Sequence, residues 1–166
     1  MNFTQLKYIK LKHLNIINLL DFFRYGYSEE SDSVIIQSFS PESVRYIAGK
    51  SPIRVSILLQ PTSNPSNETL ADYATFAYGI GPSKRLVVTA NPLTNRRTGT
   101  TDLVARAHAY GLKVFCWTFR NDNNQLLWDY ELDPYLEYLD FLAEGVDGLF
   151  TDFPGTLEAL LNSIYP

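Results

Sequence analysis

The residues best suited to binding chemistry stand where buried apolar runs give way to polar side chains. Two such runs, 113–120 and 145–154, are short and bounded by turn residues, as expected of strands buried on both faces. Their polar ends contain Trp117, Thr118, Arg120, Thr151 and Asp152. A third run, 34–39, ends in Gln37 and Ser38. Because ligands bind at the carboxyl ends of parallel strands, these side chains are candidates for contacts with a small molecule.

Each candidate also has a purely structural interpretation. Trp117 is either a ligand contact or a core aromatic at a strand end, since Trp is usually highly buried. Gln37 and Ser38 either face a ligand or satisfy the hydrogen-bonding groups of a loop. Both interpretations stay open at the level of sequence.

The titratable residues do not form an evident catalytic set. His13 and His108 are the two histidines, and His108 falls on a helix face, where we expect a structural role. The acidic residues Asp129, Glu131, Asp133 and Glu137 suggest a metal site, but a solvated acidic loop is the expected structure. The single cysteine, Cys116, lies in an apolar run and is expected to pack as a small hydrophobe.

Alternating strands and helices are predicted to position these residues. Strands are expected near 34–39, 53–59, 113–118 and 148–153, and helices at 41–48, 68–77, 102–110, in a segment ending before Gly145, and at 156–163. The order Ser40, Pro41, Glu42 is typical of a helix start. Residues 79–82 form a short strand or a tight turn, and 83–100 a long connection of the kind that is functional or mobile.

The apolar pattern of the amino-terminal region predicts its secondary structure less clearly. Residues 8–12 are a strand end or the first turn of a helix, and apolar spacing predicts a helix over 14–23. The strand and helix alternation predicts an α/β fold of parallel strands with right-handed crossovers. We find no domain boundary, so residues 1–166 are predicted to form a single domain.

Composition excludes some classes of function. The chain has 166 residues, is 45% hydrophobic, and carries 14 Lys and Arg against 18 Asp and Glu, for a net charge of −4. Without a basic run, nucleic acid is a poor candidate partner. No apolar run approaches the ~20 residues of a membrane helix, and residues 1–23 lack the pattern of a signal peptide.

Seven motifs resemble the carboxyl-terminal part of the glycerophosphodiester phosphodiesterase family, in family order. They are Tyr25-Gly26-Tyr27; Ile36-Gln37-Ser38-Phe39 with Pro41-Glu42; Gly79-Ile80-Gly81-Pro82; Asp102-Leu103-Val104-Ala105-Arg106-Ala107-His108-Ala109; Trp117-Thr118-Phe119-Arg120-Asn121; Asp133-Pro134-Tyr135-Leu136-Glu137-Tyr138; and Val146-Asp147-Gly148-Leu149-Phe150-Thr151-Asp152-Phe153-Pro154. The resemblance implies a parallel TIM-type (β/α) barrel. Because a full barrel needs ~250 residues, we expect an incomplete one that lacks the first strand-helix units.

The family's catalytic motifs are missing from this sequence. Its His-Arg-Gly motif, its second His and its first metal-binding Glu and Asp have no counterpart ahead of Tyr8. Its Glu-Ile-Lys motif matches Lys10-Leu11-Lys12, so that Lys10 replaces a metal-binding Glu and Lys12 keeps the lysine, a candidate phosphate contact. The resemblance implies a divalent metal, Ca or Mg, which we do not expect this chain to bind alone.

The resemblance also implies roles for the strand-end residues. It places Trp117 beside the glycerol moiety of the substrate, and in the barrel that it implies, Gln37 and Ser38 at the carboxyl end of their strand are substrate-binding candidates. Neither histidine falls on a catalytic position, and Asp152 matches a strand-end residue that holds loops by hydrogen bonds.

The function implied by the resemblance is hydrolysis of glycerophosphodiesters to an alcohol and glycerol 3-phosphate, a reaction of lipid and glycerol metabolism. The chain is expected to be truncated and inactive alone; the alternative is a catalytically dead relative that binds a polyol phosphate or a protein. Expected partners are the glycerophosphodiester, and either a second copy or a complementing N-terminal half. The nearest subgroup, of bacterial periplasmic and plant type, suggests a periplasmic or extracellular location for the full-length protein.

Overall fold

Six parallel strands form the main sheet of the computed structural model, which describes residues 7–10, 26–30 and 34–165. In sheet order they are β1 Lys7–Lys10, β2 Val34–Ser38, β3 Val55–Leu59, β4 Gly79–Pro82, β7 Lys113–Phe119 and β8 Gly148–Thr151. Two further strands, β5 Val88–Asn91 and β6 Arg96–Thr100, pair antiparallel as a separate hairpin. The predicted parallel pairing of the main strands is confirmed.

Among the described residues, five helices alternate with these strands. They are α1 Pro41–Ala48, α2 Asn67–Ala74, α3 Leu103–Ala109, α4 Pro134–Ala143 and α5 Pro154–Ile164. Three short 3-10 turns, Lys84–Leu86, Asn123–Gln125 and Trp128–Tyr130, occupy the longer connections. No helix in the part of the chain that the structure describes is long and apolar enough to span a membrane.

Local side chains define where the helices begin. Ser40 accepts a hydrogen bond from the backbone N–H of Ser43 at 3.1 Å, with Pro41 in the first helical position, as the sequence predicted for α1. Asp133 caps α4 in the same way, by accepting from the N–H of Tyr135 at 2.9 Å. Each cap of this kind contributes about 1 kcal/mol, which helps short helices to form.

The hydrophobic core lies between the sheet and the helices. One face of the main strands contributes alternate residues, and the inward faces of the helices contribute the rest: Val34, Ile36, Val55, Ile57, Leu59, Ile80, Val114 and Cys116 from the strands, and Val44, Ile47, Leu70, Ala107, Tyr138 and Phe141 from the helices. Strands β2, β3 and β4 are buried along their whole length. This explains why they appear in the sequence as continuous runs without polar alternation.

Two glycines explain how residues 79–82 form a strand rather than a tight turn. A Cβ atom on Gly79 would lie 2.5 Å from the carbonyl oxygen of Lys113, and one on Gly81 would lie 2.7 Å from Cδ2 of Leu58. Only glycine therefore allows β4 to pack closely between β3 and β7.

Residues 83–100, expected above only as a long connection, have secondary structure of their own. They contain the 3-10 turn and the β5–β6 hairpin, and the side chain of Thr101 at the end of the hairpin donates to the carbonyl of Leu86 at 2.6 Å. At the amino terminus, residues 7–10 form strand β1, which resolves the choice between strand and helix there; the helix predicted over 14–23 lies outside the described residues.

The main sheet is open within the described residues. Strands β1 and β8 each pair with one neighbour, so the sheet has two edges. The fold is an α/β part-barrel of parallel strands, as predicted.

Candidate functional site

The carboxyl-terminal edge of the sheet gathers an aromatic cluster around Trp117. The indole Nε1 of Trp117, near the end of β7, donates a hydrogen bond to the carbonyl oxygen of Gly81 in β4 at 2.6 Å. Phe39, which follows β2, contacts the Trp117 ring edge to face, with centroids 5.8 Å apart. The partly exposed indole is therefore held in a defined orientation by two other strands.

The contact between Phe39 and Trp117 also indicates that the sheet is curved. Strand β2 is separated from β7 by β3 and β4, so a flat sheet would place the two strands ~14 Å apart. Contact between the two rings across this distance indicates that the sheet bends around its inner face. The polar strand ends thus converge on a concave surface, as they do in barrel active sites.

Gln37 lies on the inner face of the sheet with an unsatisfied acceptor. It is 5% exposed, and its Oε1 has no hydrogen-bond partner among the described residues. Ser56, its register partner on β3, is fully buried and its Oγ likewise has none among them. A buried polar group without a partner carries a desolvation cost and is uncommon in native structures, so this pair is a candidate for contact with a polar ligand.

Ser38 has the loop role that the structural interpretation predicts. Its Oγ accepts a hydrogen bond from the backbone N–H of Ser40 at 3.2 Å, which orients the start of α1. The structure thus brings Gln37, Ser38 and Trp117 to one edge of the sheet. Contact of these three residues with substrate stays a prediction.

One member of the acidic group is not solvated, which corrects the prediction for residues 129–137. Glu137 is buried, and both of its carboxylate oxygens accept from Nζ of Lys84, at 2.8 and 2.9 Å. Burial raises the pKa of Glu137 and lowers the pKa of Lys84, while the attraction between the two charges opposes both changes. Sequence reasoning missed this pair because Lys84 and Glu137 belong to different elements, 53 residues apart.

The rest of the acidic group behaves as surface structure. Asp129 is exposed and accepts from the backbone N–H of Arg97 at 2.7 Å, while Asp133 caps α4. Glu131 is exposed in a left-handed turn.

Hydrogen bonds at the same edge join the loop after β7 to the residues that follow β8. Arg120 donates to Asp152 through Nη1 and to Asp122 through Nε, the latter at 2.8 Å. Asn121 donates to Oγ1 of Thr156 at 2.8 Å. The prediction that Asp152 holds loops together is therefore confirmed.

His108 has a structural role at the opposite edge of the sheet. Its Nε2 lies 2.7 Å from Oδ2 of Asp147, which also accepts from the backbone N–H of Val114 at the start of β7. Cys116 is fully buried in β7, and desolvation raises the pKa of its thiol. A hydrogen bond accounts for His108 and packing accounts for Cys116, so both have structural roles, as predicted.

The described residues do not fit a divalent metal. No three His, Cys, Asp or Glu side chains converge within the described part of the chain, so we derive no chemical step through a metal. Lys10 is the last residue of β1 and stands opposite Gln37 in the β1–β2 register. Lys12 lies outside the described residues, and its role as a phosphate contact stays a prediction, as does the replacement of a metal-binding Glu by Lys10.

Comparison with known proteins gives a consistent result. Residues 4–156 match the model of the Glycerophosphoryl diester phosphodiesterase family. The chain is 39% identical over 154 residues to the glycerophosphodiester phosphodiesterase GDPD6 of Arabidopsis thaliana, covering 81% of this chain and 41% of the relative. It is 38% identical over 112 residues to GDPDL3 of the same plant, covering 62% of this chain and 14% of the relative.

Solved structures show the same fold at lower identity. A glycerophosphodiester phosphodiesterase from Parabacteroides distasonis aligns with a TM-score of 0.62 at 17% identity, over 96% of this chain and 58% of its own. A putative glycerophosphoryl diester phosphodiesterase from Silicibacter pomeroyi aligns with a TM-score of 0.58 at 22% identity, over 89% and 43%. The chain thus spans about two fifths of GDPD6 and about half of these structures.

Proposed function

Because the chain belongs to the glycerophosphoryl diester phosphodiesterase family, we propose that residues 1–166 supply the glycerol-binding side of an active site that hydrolyses glycerophosphodiesters to an alcohol and glycerol 3-phosphate. We further propose that these residues are inactive by themselves. The observation that supports the binding role is the Trp117 cluster at the carboxyl edge of the curved sheet.

The geometry around Trp117 suits a small polyol. Its indole is fixed by the carbonyl of Gly81 and by Phe39, so it presents a preorganised apolar surface to the carbon chain of a glycerol group. The unpaired Oε1 of Gln37 on the same concave face accepts hydrogen bonds, which the hydroxyl groups of glycerol donate. A shaped apolar surface with few polar groups is the usual composition of a small-molecule site.

The proposed inactivity follows from the chemistry of the phosphodiester bond. Its cleavage needs a group that transfers protons and a group that neutralises the developing charge on the phosphoryl oxygens. His108 lies at the opposite edge of the sheet with Asp147, and no metal-binding cluster occurs among the described residues. General acid-base catalysis alone contributes roughly 10²–10⁴-fold, so a site that lacks such a group among the described residues is expected to show little activity.

The open edges of the sheet suggest how the site becomes complete. Among the described residues, β1 and β8 each have one unpaired edge, which is a template for further strands, and in a closed barrel such strands pair with both edges. A polypeptide bearing the family's first two strand-helix units would supply both the missing strands and the catalytic His pair and metal carboxylates.

Release of glycerol 3-phosphate from glycerophosphocholine, with Ca²⁺ or Mg²⁺ present, tests the proposal. We expect no release by the purified chain, and release when a polypeptide carrying the first two strand-helix units is added. Trp117→Ala should abolish the restored activity, whereas Trp128→Ala, at a 56% exposed tryptophan outside the cluster, should preserve it. Metal-dependent release by the chain alone, lost on Trp117→Ala, would contradict the inactivity. Binding of glycerol 3-phosphate without activity in any complemented assembly would favour the alternative, a binding protein.

A further inference from the structure

We propose that the buried ion pair between Lys84 and Glu137 is a positioning device that holds the Trp117 indole in its orientation. This inference rests on the proposed function for the identity of the ligand, but the orientation of Trp117 can be measured without a ligand. Neither residue faces the substrate side of the sheet, so we assign a positioning role and not a catalytic one.

The ion pair is sequestered from solvent. The side chains of Lys84 and Glu137 are 10% and 1% exposed, and the ammonium contacts both carboxylate oxygens. The same Nζ lies 3.4 Å from the carbonyl oxygen of Gln125 and 5.2 Å from the centre of the Phe119 ring. Lys84 thus joins its own turn to α4, to the loop after β7 and to the end of β7 itself.

Two short connections link this centre to Trp117. Along the chain, Lys84 directly follows Ser83, whose backbone bridges to Trp117, and it lies three residues after Gly81, whose carbonyl accepts the indole N–H. Through β7, Phe119 is two residues beyond Trp117. If Lys84 is released, the turn that directly follows Ser83 and strand β4, the strand of the Gly81 carbonyl, loses its buried link to α4.

Phe119 is held from the helix side as well. Its ring stacks on Tyr138 with centroids 5.3 Å apart and meets Phe141 edge to face at 4.9 Å. The ammonium of Lys84 therefore lies against a ring that α4 already orients. The ion pair and the aromatic contacts together bind the end of β7 to α4 on the side opposite the Trp117 indole.

Stability alone does not account for an ion pair at this place. Burying two charges costs desolvation energy, and apolar residues of similar size often replace such a pair with no loss of stability. An apolar pair does not fix the relative orientation of its side chains. A carboxylate and an ammonium do, because their hydrogen bonds have a preferred distance and angle. The structure therefore favours a role in geometry.

The experiment uses Trp128→Phe as the parent, so that Trp117 is the only tryptophan. The test variant adds Lys84→Met and Glu137→Leu to this parent. The matched control adds Arg97→Met and Asp140→Leu, because Arg97 and Asp140 also join the 83–100 connection to α4, at 3.1 Å, but do not adjoin Trp117. Each protein is measured for its urea unfolding midpoint, its tryptophan emission maximum, acrylamide quenching, and affinity for sn-glycerol 3-phosphate.

We expect the test variant to unfold near the midpoint of the parent but to show a red-shifted emission and roughly two- to threefold stronger quenching, since a loosened indole is more accessible. Its affinity for glycerol 3-phosphate should fall roughly tenfold, equivalent to about 1.4 kcal/mol of lost interaction. The control should keep the emission, quenching and affinity of the parent.

A folded test variant with the emission and quenching of the parent would overturn the inference. If the test variant does not fold, Lys84→Met with Glu137→Gln in the same parent is measured instead, because it keeps the shapes of both side chains and leaves no buried charge unpaired. It should show the same changes to a smaller degree, and unchanged emission and quenching would again refute the positioning role. A parent that does not bind glycerol 3-phosphate would contradict the proposed function, while the ligand-free measurements would still decide the inference.

Discussion

Asp147 is predicted to be the carboxylate whose loss most weakens the amino-terminal edge of the sheet. Its side chain is 12% exposed and accepts three hydrogen bonds, from His108 at 2.7 Å, from Lys113 at 2.8 Å and from the backbone N–H of Val114 at 2.9 Å. It joins α3 and the start of β7 to the segment before β8. The test substitution is Asp147→Ala, and a second variant, Asp147→Asn, removes the charge but keeps an acceptor oxygen.

The expected loss of unfolding free energy depends on which of the three donors can form a hydrogen bond with water once the carboxylate is removed. The backbone N–H of Val114 is buried and cannot reach water, and leaving such a donor unsatisfied costs about 2 kcal/mol. His108 and Lys113 are partly exposed and should lose about 0.5 kcal/mol each. Asp147→Ala should therefore lower the free energy of unfolding by about 3 kcal/mol, a fall in Tm of roughly 6–12 °C for a chain of this length. Asp147→Asn keeps an acceptor for Val114 and should cost about 1 kcal/mol.

The pH dependence gives a second measure of the same contacts. Burial alone would raise the pKa of Asp147, but the hydrogen bonds from Lys113, His108 and Val114 outweigh burial, and the pKa is lowered. Because the folded pKa is below the unfolded one, the stabilisation is fully present above about pH 4 and is lost as pH falls through the folded pKa. The gap in unfolding free energy between the wild-type chain and Asp147→Asn should narrow below about pH 4.

Urea unfolding followed by circular dichroism measures both effects. Asp72→Asn is the matched control, since Asp72 also accepts two short hydrogen bonds, from Arg45, but is 55% exposed; it should cost less than about 1 kcal/mol. An Asp147→Ala variant that is no less stable than the Asp72→Asn control would refute the reasoning. A difference in unfolding free energy between the wild-type chain and Asp147→Asn that stays constant from pH 7 to pH 3 would refute it as well.

Three further predictions concern packing and assembly. Cys116 should react with a thiol reagent such as DTNB only as fast as the chain unfolds, because burial and a raised pKa keep the thiolate absent; rapid reaction at pH 8 in native conditions would contradict this. Gly79→Ala should lower the urea midpoint sharply or prevent folding, since its Cβ would lie 2.5 Å from a backbone oxygen, whereas Gly155→Ala in α5 meets nothing within 4 Å and should be neutral or stabilising by up to about 1 kcal/mol; equal midpoints would show that β4 can shift. Light scattering on the isolated chain should show oligomers or aggregation, and a monomer once the first two strand-helix units are supplied, because β1 and β8 each leave one edge unpaired within the part of the chain that the structure describes; a stable monomer with cooperative unfolding would instead indicate that residues 1–23 cover the open side.

Local sequence predicted the elements well because the interactions that define them are local. Ser40 and Pro41 mark the start of α1 through contacts within three residues, and the glycines at 49, 111 and 145 follow helix ends as expected. Strands buried on both faces appear as apolar runs wherever they lie in the chain. The boundaries of α2 and α3 were predicted two or three residues too long, since helix ends depend on capping contacts as well as on apolar spacing.

The hairpin of residues 88–100 was not predicted. Strand β6 alternates between exposed and partly buried residues and contains Arg96, Arg97 and Gly99, a composition that propensity does not favour for a strand. Its pairing with β5 and the contacts of Arg97 with Asp140 and Glu144 on α4 supply the stabilisation.

The sequence by itself determined the fold class, the alternation of strands and helices, and the edge of the sheet where Gln37, Ser38 and Trp117 gather. Only the tertiary structure decided that Phe39 contacts Trp117, that the carbonyl of Gly81 accepts the indole N–H, and that Glu137 is buried against Lys84. The physical reason is distance along the chain. Caps and apolar periodicity act within about four residues, whereas these contacts join residues 36 to 78 positions apart and depend on how far the sheet bends.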